Sequence, residues 1–190
     1  MIEKYSDNNC TQNKNDTLKL KLILASGSKQ RQDIFKNIGL KYEVIKSVVE
    51  EKSDSTEPSE YVKDLSKDKA KSVASQINEK AIIIAADSII YMNGKIYEKP
   101  KSKEEAYQNL KEMSGKVTYA VTGVTIKDLY KNKEICFADI AEVHLKEIDD
   151  EDIKWYVENE KDIFNRCAYA ILGNCLLYTS DAADDSLRVD

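Results

Sequence analysis

Residues 81–100 read AIIIAADSIIYMNGKIYEKP, and this stretch decides the fold. Its apolar run, AIIIAA, fits a buried strand. Asn93-Gly94 is a strong hairpin signal. Asp87 stands at the end of the apolar run. A desolvated carboxylate there is costly unless a charge partner or a metal holds it. In open α/β sheets, ligand sites gather at the carboxyl ends of strands. The plain alternative is that Asp87 caps a turn with Ser88.

Upstream, residues 18–25 (LKLKLILA) alternate and then run apolar, as an entering strand would. Residues 22–35 continue as LILASGSKQRQDIF. Ser28 is placed to cap a helix over residues 29–37, with Gly39 ending it. Free N–H groups at a helix start attract phosphate. Lys29 and Arg31 oppose the helix dipole in that first turn, a cost that a bound anion would offset. An ordinary serine cap explains the same residues without any ligand. A second strand is predicted over 42–49 (YEVIKSVV), followed by the acidic Glu50-Glu51 loop and Pro58.

A long amphipathic helix is predicted over residues 59–78. Val62, Leu65, Lys69, Val73 and Ile77 lie near one face, with Ala70 beside them. A lysine in an apolar stripe either packs its stem and sends its head to water, or points into a cleft.

Downstream, Lys99 sits in Glu-Lys-Pro, and Pro100 stiffens the backbone beyond it. A lone lysine of this kind is ordinarily just solvated. Ser102 and Glu105 make a capping box for a helix to Met113, which Gly115 can end. Residues 116–126 and 135–145 read as long alternating strands joined by a polar turn. Residues 149–160 read as a short helix, acidic at its start. Strand and helix signals alternate, which predicts an α/β domain.

Composition narrows the function. A chain of 190 residues, 42% hydrophobic and 33% charged, suits one globular domain with a real core. The longest apolar run is too short to span a bilayer, so no membrane role is expected. The first residues carry no apolar core of a secretion signal. Net charge is −5 with no long basic run, which argues against nucleic acid as the main partner. The four cysteines show no Cys-x-x-Cys spacing, so free thiols in a reducing cytoplasm are expected. His144 is the one histidine, so no multi-histidine metal site is possible. Any metal would be held by carboxylates, which suits Mg²⁺ or Mn²⁺. No Walker-type Gly-Lys-Ser/Thr loop is present. Cations, one or two carboxylates and no Ser-His-Asp or Cys-His set suit metal-assisted attack of water on phosphorus.

Three segments, LILASGSKQRQDIF, AADSIIYMNGKIYEKPKSKEEAYQNLKEMSGK and VTGVTI, together resemble the Maf (septum formation) family of nucleoside triphosphate pyrophosphatases. The resemblance runs in order over about residues 20–173. It implies a mixed, twisted central sheet flanked by helices, with two lobes around a nucleotide cleft, as in Maf and ITPase folds. It implies cleavage of a nucleoside triphosphate between the α and β phosphates, of the dTTP/UTP type, with a divalent cation. By the same resemblance, Ser26 and Ser28 line a phosphate turn and Arg31 and Lys69 grip phosphate. Glu50 and Asp87 are the catalytic and metal-binding carboxylates, and Lys99 is the lysine of the Glu-Lys-Pro loop. Arg166 stands where the family has a late lysine. A homodimer is implied in the same way, and a non-catalytic nucleotide-binding regulator of cell division is the alternative.

The sequence also departs from the family pattern. Lys29-Gln30 replaces its Pro-Arg, and residues 165–173 (NRCAYAILG) are one residue short of its late motif, with Leu172 where glutamine is expected. The expected organisation is a disordered extension over 1–17, the family domain over 18–174, and a non-native tail over 175–190 that replaces a closing strand and helix.

Overall fold

The computed structural model describes residues 20–49, 52–160 and 163–165. The elements in chain order are β1 (Lys21–Leu24), α1 (Lys29–Asn37), β2 (Glu43–Val44), α2 (Pro58–Ala74), β3 (Ala81–Met92), β4 (Lys95–Tyr97), α3 (Lys103–Met113), β5 (Val117–Asp128), β6 (Lys133–His144) and α4 (Asp150–Asn159). A short 3₁₀ turn, Ile163–Asn165, follows. The sheet has six strands in the order β2-β1-β3-β5-β6, with β4 paired to β3. β1 runs parallel to both β2 and β3, while β3 and β4 are antiparallel. The alternation predicts the α/β class, and the mixed sheet with flanking helices is what the resemblance implies.

The chain packs as two compact units. One holds the described residues up to Val49 with Ser66–Ala86 and Val124–Cys136; the other holds Lys52–Leu65, Asp87–Gly123 and the described residues from Phe137 on.

In the first unit, Ala70 and Val73 of α2 cover Ile23, Ala25, Ala81, Ile83 and Ala85. Small alanines let helix and sheet approach closely while the isoleucines supply the apolar area. α1 differs from α2: none of its residues is buried. In the second unit, Ile90, Met92 and Tyr97 pack with Leu110 and Met113 of α3 and with Ile153, Tyr156 and Val157 of α4. A smaller cluster joins Val62, Ile89 and Val121. Beside it, β5 carries Gly123, where an added Cβ would stand 2.3 Å from the Val62 carbonyl oxygen. Only glycine allows the α2 backbone so close to the strand.

Several boundaries move from their expected places. The hairpin at Asn93-Gly94 forms with φ of 51° and 80°, the two positive values that a type I′ turn needs. It lies so late that β3 runs on through Met92, and Asp87 is therefore inside the strand rather than at its end. The apolar residues after Ser88 keep the strand paired, so no turn forms for Asp87 to cap. β2 is far shorter than 42–49 because the chain leaves the sheet, and the Val48 N–H bonds Ser72 Oγ at 3.1 Å. α2 stops at Ala74, short of 78. There the Ser75 hydroxyl and the Gln76 amide both donate to the Ser72 carbonyl, at 2.8 and 3.0 Å, competing with the helical bonds. The capping box of α3 forms, but reciprocally to Lys101: Ser102 Oγ accepts from Glu105 N–H at 3.1 Å, and Glu105 Oε2 accepts from Lys101 N–H at 2.8 Å.

Candidate active site

The turn after β1 is built from the end of a buried strand. Ala25 donates its N–H to the Ile84 carbonyl at 2.8 Å, which ties the turn to β3. Ser26 follows, buried at 8% exposure. Its hydroxyl oxygen accepts from Ser28 N–H and from Arg31 Nη1, both at 3.2 Å. Ser28 occupies the N-cap position of α1 but makes no side-chain cap bond. The ordinary-cap reading of Ser28 thus lacks the bond that defines it. The first turn of α1 holds no acidic residue, while Lys29 and Arg31 lie at its start. Lys46 also reaches this turn: a Cβ on Gly27 would stand 2.8 Å from Lys46 Cε. Amide dipoles and cations converge on one small loop, an arrangement that favours an anion.

Lys69 is buried at 5% exposure, on the α2 face that covers the sheet. Of the two sequence readings, escape of its head to water is the one the burial disfavours. One turn earlier on α2, Ser66 Oγ and Thr125 Oγ1 lie 2.8 Å apart, and Thr125 donates to Cys136 Sγ at 3.3 Å. This buried polar seam fixes the register of α2 on β5, since directional bonds cannot slide as apolar contacts can. No local signal marks the seam, because its partners Ser66 and Thr125 lie 59 residues apart.

Asp87 belongs to the second unit and is 5% exposed. Its strand neighbour Ser88 lies 2.9 Å from Thr122 through their hydroxyl oxygens. Lys99 is exposed just beyond β4, followed by the buried Pro100. Tyr61 Oη donates to Glu98 Oε1 at 2.5 Å. Lys95 Nζ and Tyr97 Oη both reach Glu112 Oε2, at 2.6 and 2.8 Å. The hydrogen bond from Lys95, then that from Tyr97, holds the Glu112 carboxyl below its ordinary range. The same Glu112 bond raises Lys95, and burial raises the Tyr97 phenol.

The structure therefore brings Ser26, Ser28 and Arg31 into direct contact and places Lys69 in the same unit. It places Asp87 and Lys99 in the other unit. Glu50 and Arg166 lie outside the described residues. Among the described residues no three His, Cys, Asp or Glu side chains gather for a metal. Mg²⁺ ordinarily takes one or two carboxylates and fills its shell with phosphate and water. A buried hard-oxygen donor such as Asp87 fits that demand.

The sequence profile of the Maf-like protein family matches residues 21–187. The chain belongs to the Maf-like family. The match continues past Gly173 and includes most of the segment expected to be a foreign tail, which itself lies outside the described residues. A dTTP/UTP pyrophosphatase of Thermoanaerobacter sp. (strain X514) is 40% identical over 170 residues, covering 90% of this chain and 89% of the relative. One from Fusobacterium nucleatum subsp. nucleatum is 38% identical over 80% of this chain and 79% of its own length. One from Carboxydothermus hydrogenoformans is 37% identical, covering 85% of this chain and 86% of the relative. Among solved structures, a HAM1 protein from Coxiella burnetii is similar at 13% identity and a TM-score of 0.45, over 66% of this chain and 73% of that one. Membership of this family, with relatives so named, supports nucleoside triphosphate hydrolysis. Among the described residues, no helix is long and apolar enough to cross a membrane.

Proposed function

We propose that this Maf-like chain hydrolyses nucleoside triphosphates to monophosphate and pyrophosphate, with dTTP and UTP as its substrates. The observation that carries this reading is the 40% identity to a dTTP/UTP pyrophosphatase over 90% of one chain and 89% of the other. The reading gives each residue a part. The Ser26–Ser28 turn and the first N–H groups of α1 receive phosphate oxygens, with Arg31 gripping them from the same turn. Lys69 and Lys99 neutralise triphosphate charge, which grows on the leaving pyrophosphate in the transition state. Water attacks the α-phosphorus, the bond from that phosphorus to the bridging oxygen breaks, and the water's proton passes to a carboxylate oxygen of Asp87.

A divalent cation, Mg²⁺ or Mn²⁺, would be held by Asp87 with Glu50 as the second carboxylate, and when bound it would neutralise charge at the phosphates. Arg31 is better suited to its task than lysine, because its planar fork meets phosphate oxygens in pairs.

The test is pyrophosphate release from a panel of nucleoside triphosphates with Mg²⁺ or Mn²⁺, the wild type beside Asp87→Asn. Release from dTTP and UTP, lost in Asp87→Asn, is the expected result. Nucleotide bound by the folded wild type but never turned over would favour the regulator.

A further inference from the structure

Lys46 reaches the turn after β1 from a neighbouring strand. β1 and β2 run parallel, with Ile23 opposite Glu43 and Leu24 opposite Val44. The pairing carries on past the strand ends, where Ile45 donates its N–H to the Leu24 carbonyl at 3.2 Å. Lys46 is the next residue, so it leaves the sheet level with the point where β1 gives way to Ser26 and Gly27. Its neighbours are fixed on the other side. Ile45 packs against the cluster that holds Ile23, Ala25, Ala70 and Ile83, and the Val48 N–H bonds Ser72 Oγ on α2 at 3.1 Å. All of these residues belong to one unit. Side chains of an extended segment alternate, so an Ile45 held in the core turns Lys46 outward.

The stem of Lys46 lies along Gly27. A Cβ built on Gly27 would stand 2.8 Å from Lys46 Cε, 3.3 Å from Cδ and 3.5 Å from Cγ. Three successive carbons thus cross the glycine, in the space that another residue's side chain would take. Gly27 does not have a positive φ, so its backbone conformation does not demand glycine. Lys46 is exposed, and a lysine of that kind packs its stem while its charge stays in water. Here the stem carries the charge over the turn. The start of α1 already holds Lys29 and Arg31 and no acidic residue in its first turn. A third cation on the same loop adds like-charge repulsion, which an anion with several oxygens offsets.

We infer that Lys46 is a further substrate-binding residue, whose ammonium meets a phosphate oxygen at the Ser26–Ser28 turn. The inference rests on the proposed role of that turn in holding phosphate. A lysine suits this place because it acts as a mobile point charge, beside the directional fork of Arg31.

The test compares Lys46→Met, Lys46→Arg and Arg31→Ala with the wild type, each as the full chain. Methionine keeps an apolar stem over Gly27 and removes the charge. The readouts are Kd for inorganic tripolyphosphate and kcat/KM for dTTP, with melting temperature as the check on folding. Lys46→Met is expected to weaken tripolyphosphate binding and to lower kcat/KM, each roughly 10-fold, with an unchanged melting temperature. Lys46→Arg should keep most of both, and added salt should narrow the gap between Lys46→Met and wild type. Tripolyphosphate bound as tightly by Lys46→Met as by wild type, while Arg31→Ala weakens it, would overturn the inference and leave the role of the turn standing. If neither variant weakens it, the turn does not hold phosphate and the inference falls with that reading. A loss in Lys46→Met that comes with a lower melting temperature and is not recovered by arginine would make Lys46 a packing residue, which also overturns the inference.

Discussion

Arg31 reaches back five residues and donates through Nη1 to Ser26 Oγ at 3.2 Å. That bond aims a guanidinium at the same turn where the Ser28 hydroxyl makes no cap bond. Both observations suit the phosphate turn of the proposed function. Arg31→Ala should therefore weaken dTTP turnover by about 10²-fold, as expected for removal of a charge-stabilising group. Arg31→Lys should recover only a minor part, because a lysine cannot both hold Ser26 and present a planar pair of donors. Steady-state kinetics at low and high salt check this, and full rescue by lysine would count against a forked contact.

Gly123 faces the backbone of α2 rather than a side chain. Gly123→Ala must push the helix away from β5, because no rotamer change relieves a clash with the Val62 carbonyl. The expected loss is about 1–3 kcal/mol of stability, the usual range for overpacking. Chemical denaturation of the two proteins measures it. An unchanged midpoint would mean that α2 yields at no cost.

The Lys95–Glu112 pair gives a pH dependence with a definite sign. Glu112 titrates below its ordinary value of 4.5 in the folded chain, so its contribution is present above pH 4.5 and fades as pH falls through the folded value. Lys95 titrates above its ordinary 10.5, so its part is present below that pH and is lost as pH rises through the folded value. Both side chains are about half exposed, at 51% and 46%, so solvent screening keeps the effect small. Glu112→Gln should flatten the acid limb of melting temperature against pH. The two curves should meet once the carboxylate is protonated, whereas a constant offset down to low pH would contradict the assignment.

Local chemistry was the legible part of this sequence. The Asn93-Gly94 hairpin, the Ser102–Glu105 box and the start of α1 at Lys29 each depend on a few adjacent residues, and each stands in the structure. Lys69 was legible as an anomaly, a cation in an apolar stripe, but its burial needed the sheet beneath it. Asp87 was expected at a strand end and lies within β3 instead. The apolar residues beyond Ser88 extend the strand, and a run of apolar letters does not say where pairing stops. The Ser66–Thr125 seam, the Tyr61–Glu98 bond and the close approach at Gly123 left no local mark. They join residues that are distant along the chain, and a serine, a tyrosine or a glycine carries no sign of its partner.

The central claim is that a buried aspartate in β3 serves pyrophosphate release. The most direct test is pyrophosphate released from dTTP and UTP with Mg²⁺ or Mn²⁺ by the wild type and by Asp87→Asn, with folding of both checked by thermal melting. The account predicts release by the wild type and a loss of roughly 10²–10⁴-fold in a variant that still folds. A folded Asp87→Asn protein with undiminished release would contradict it.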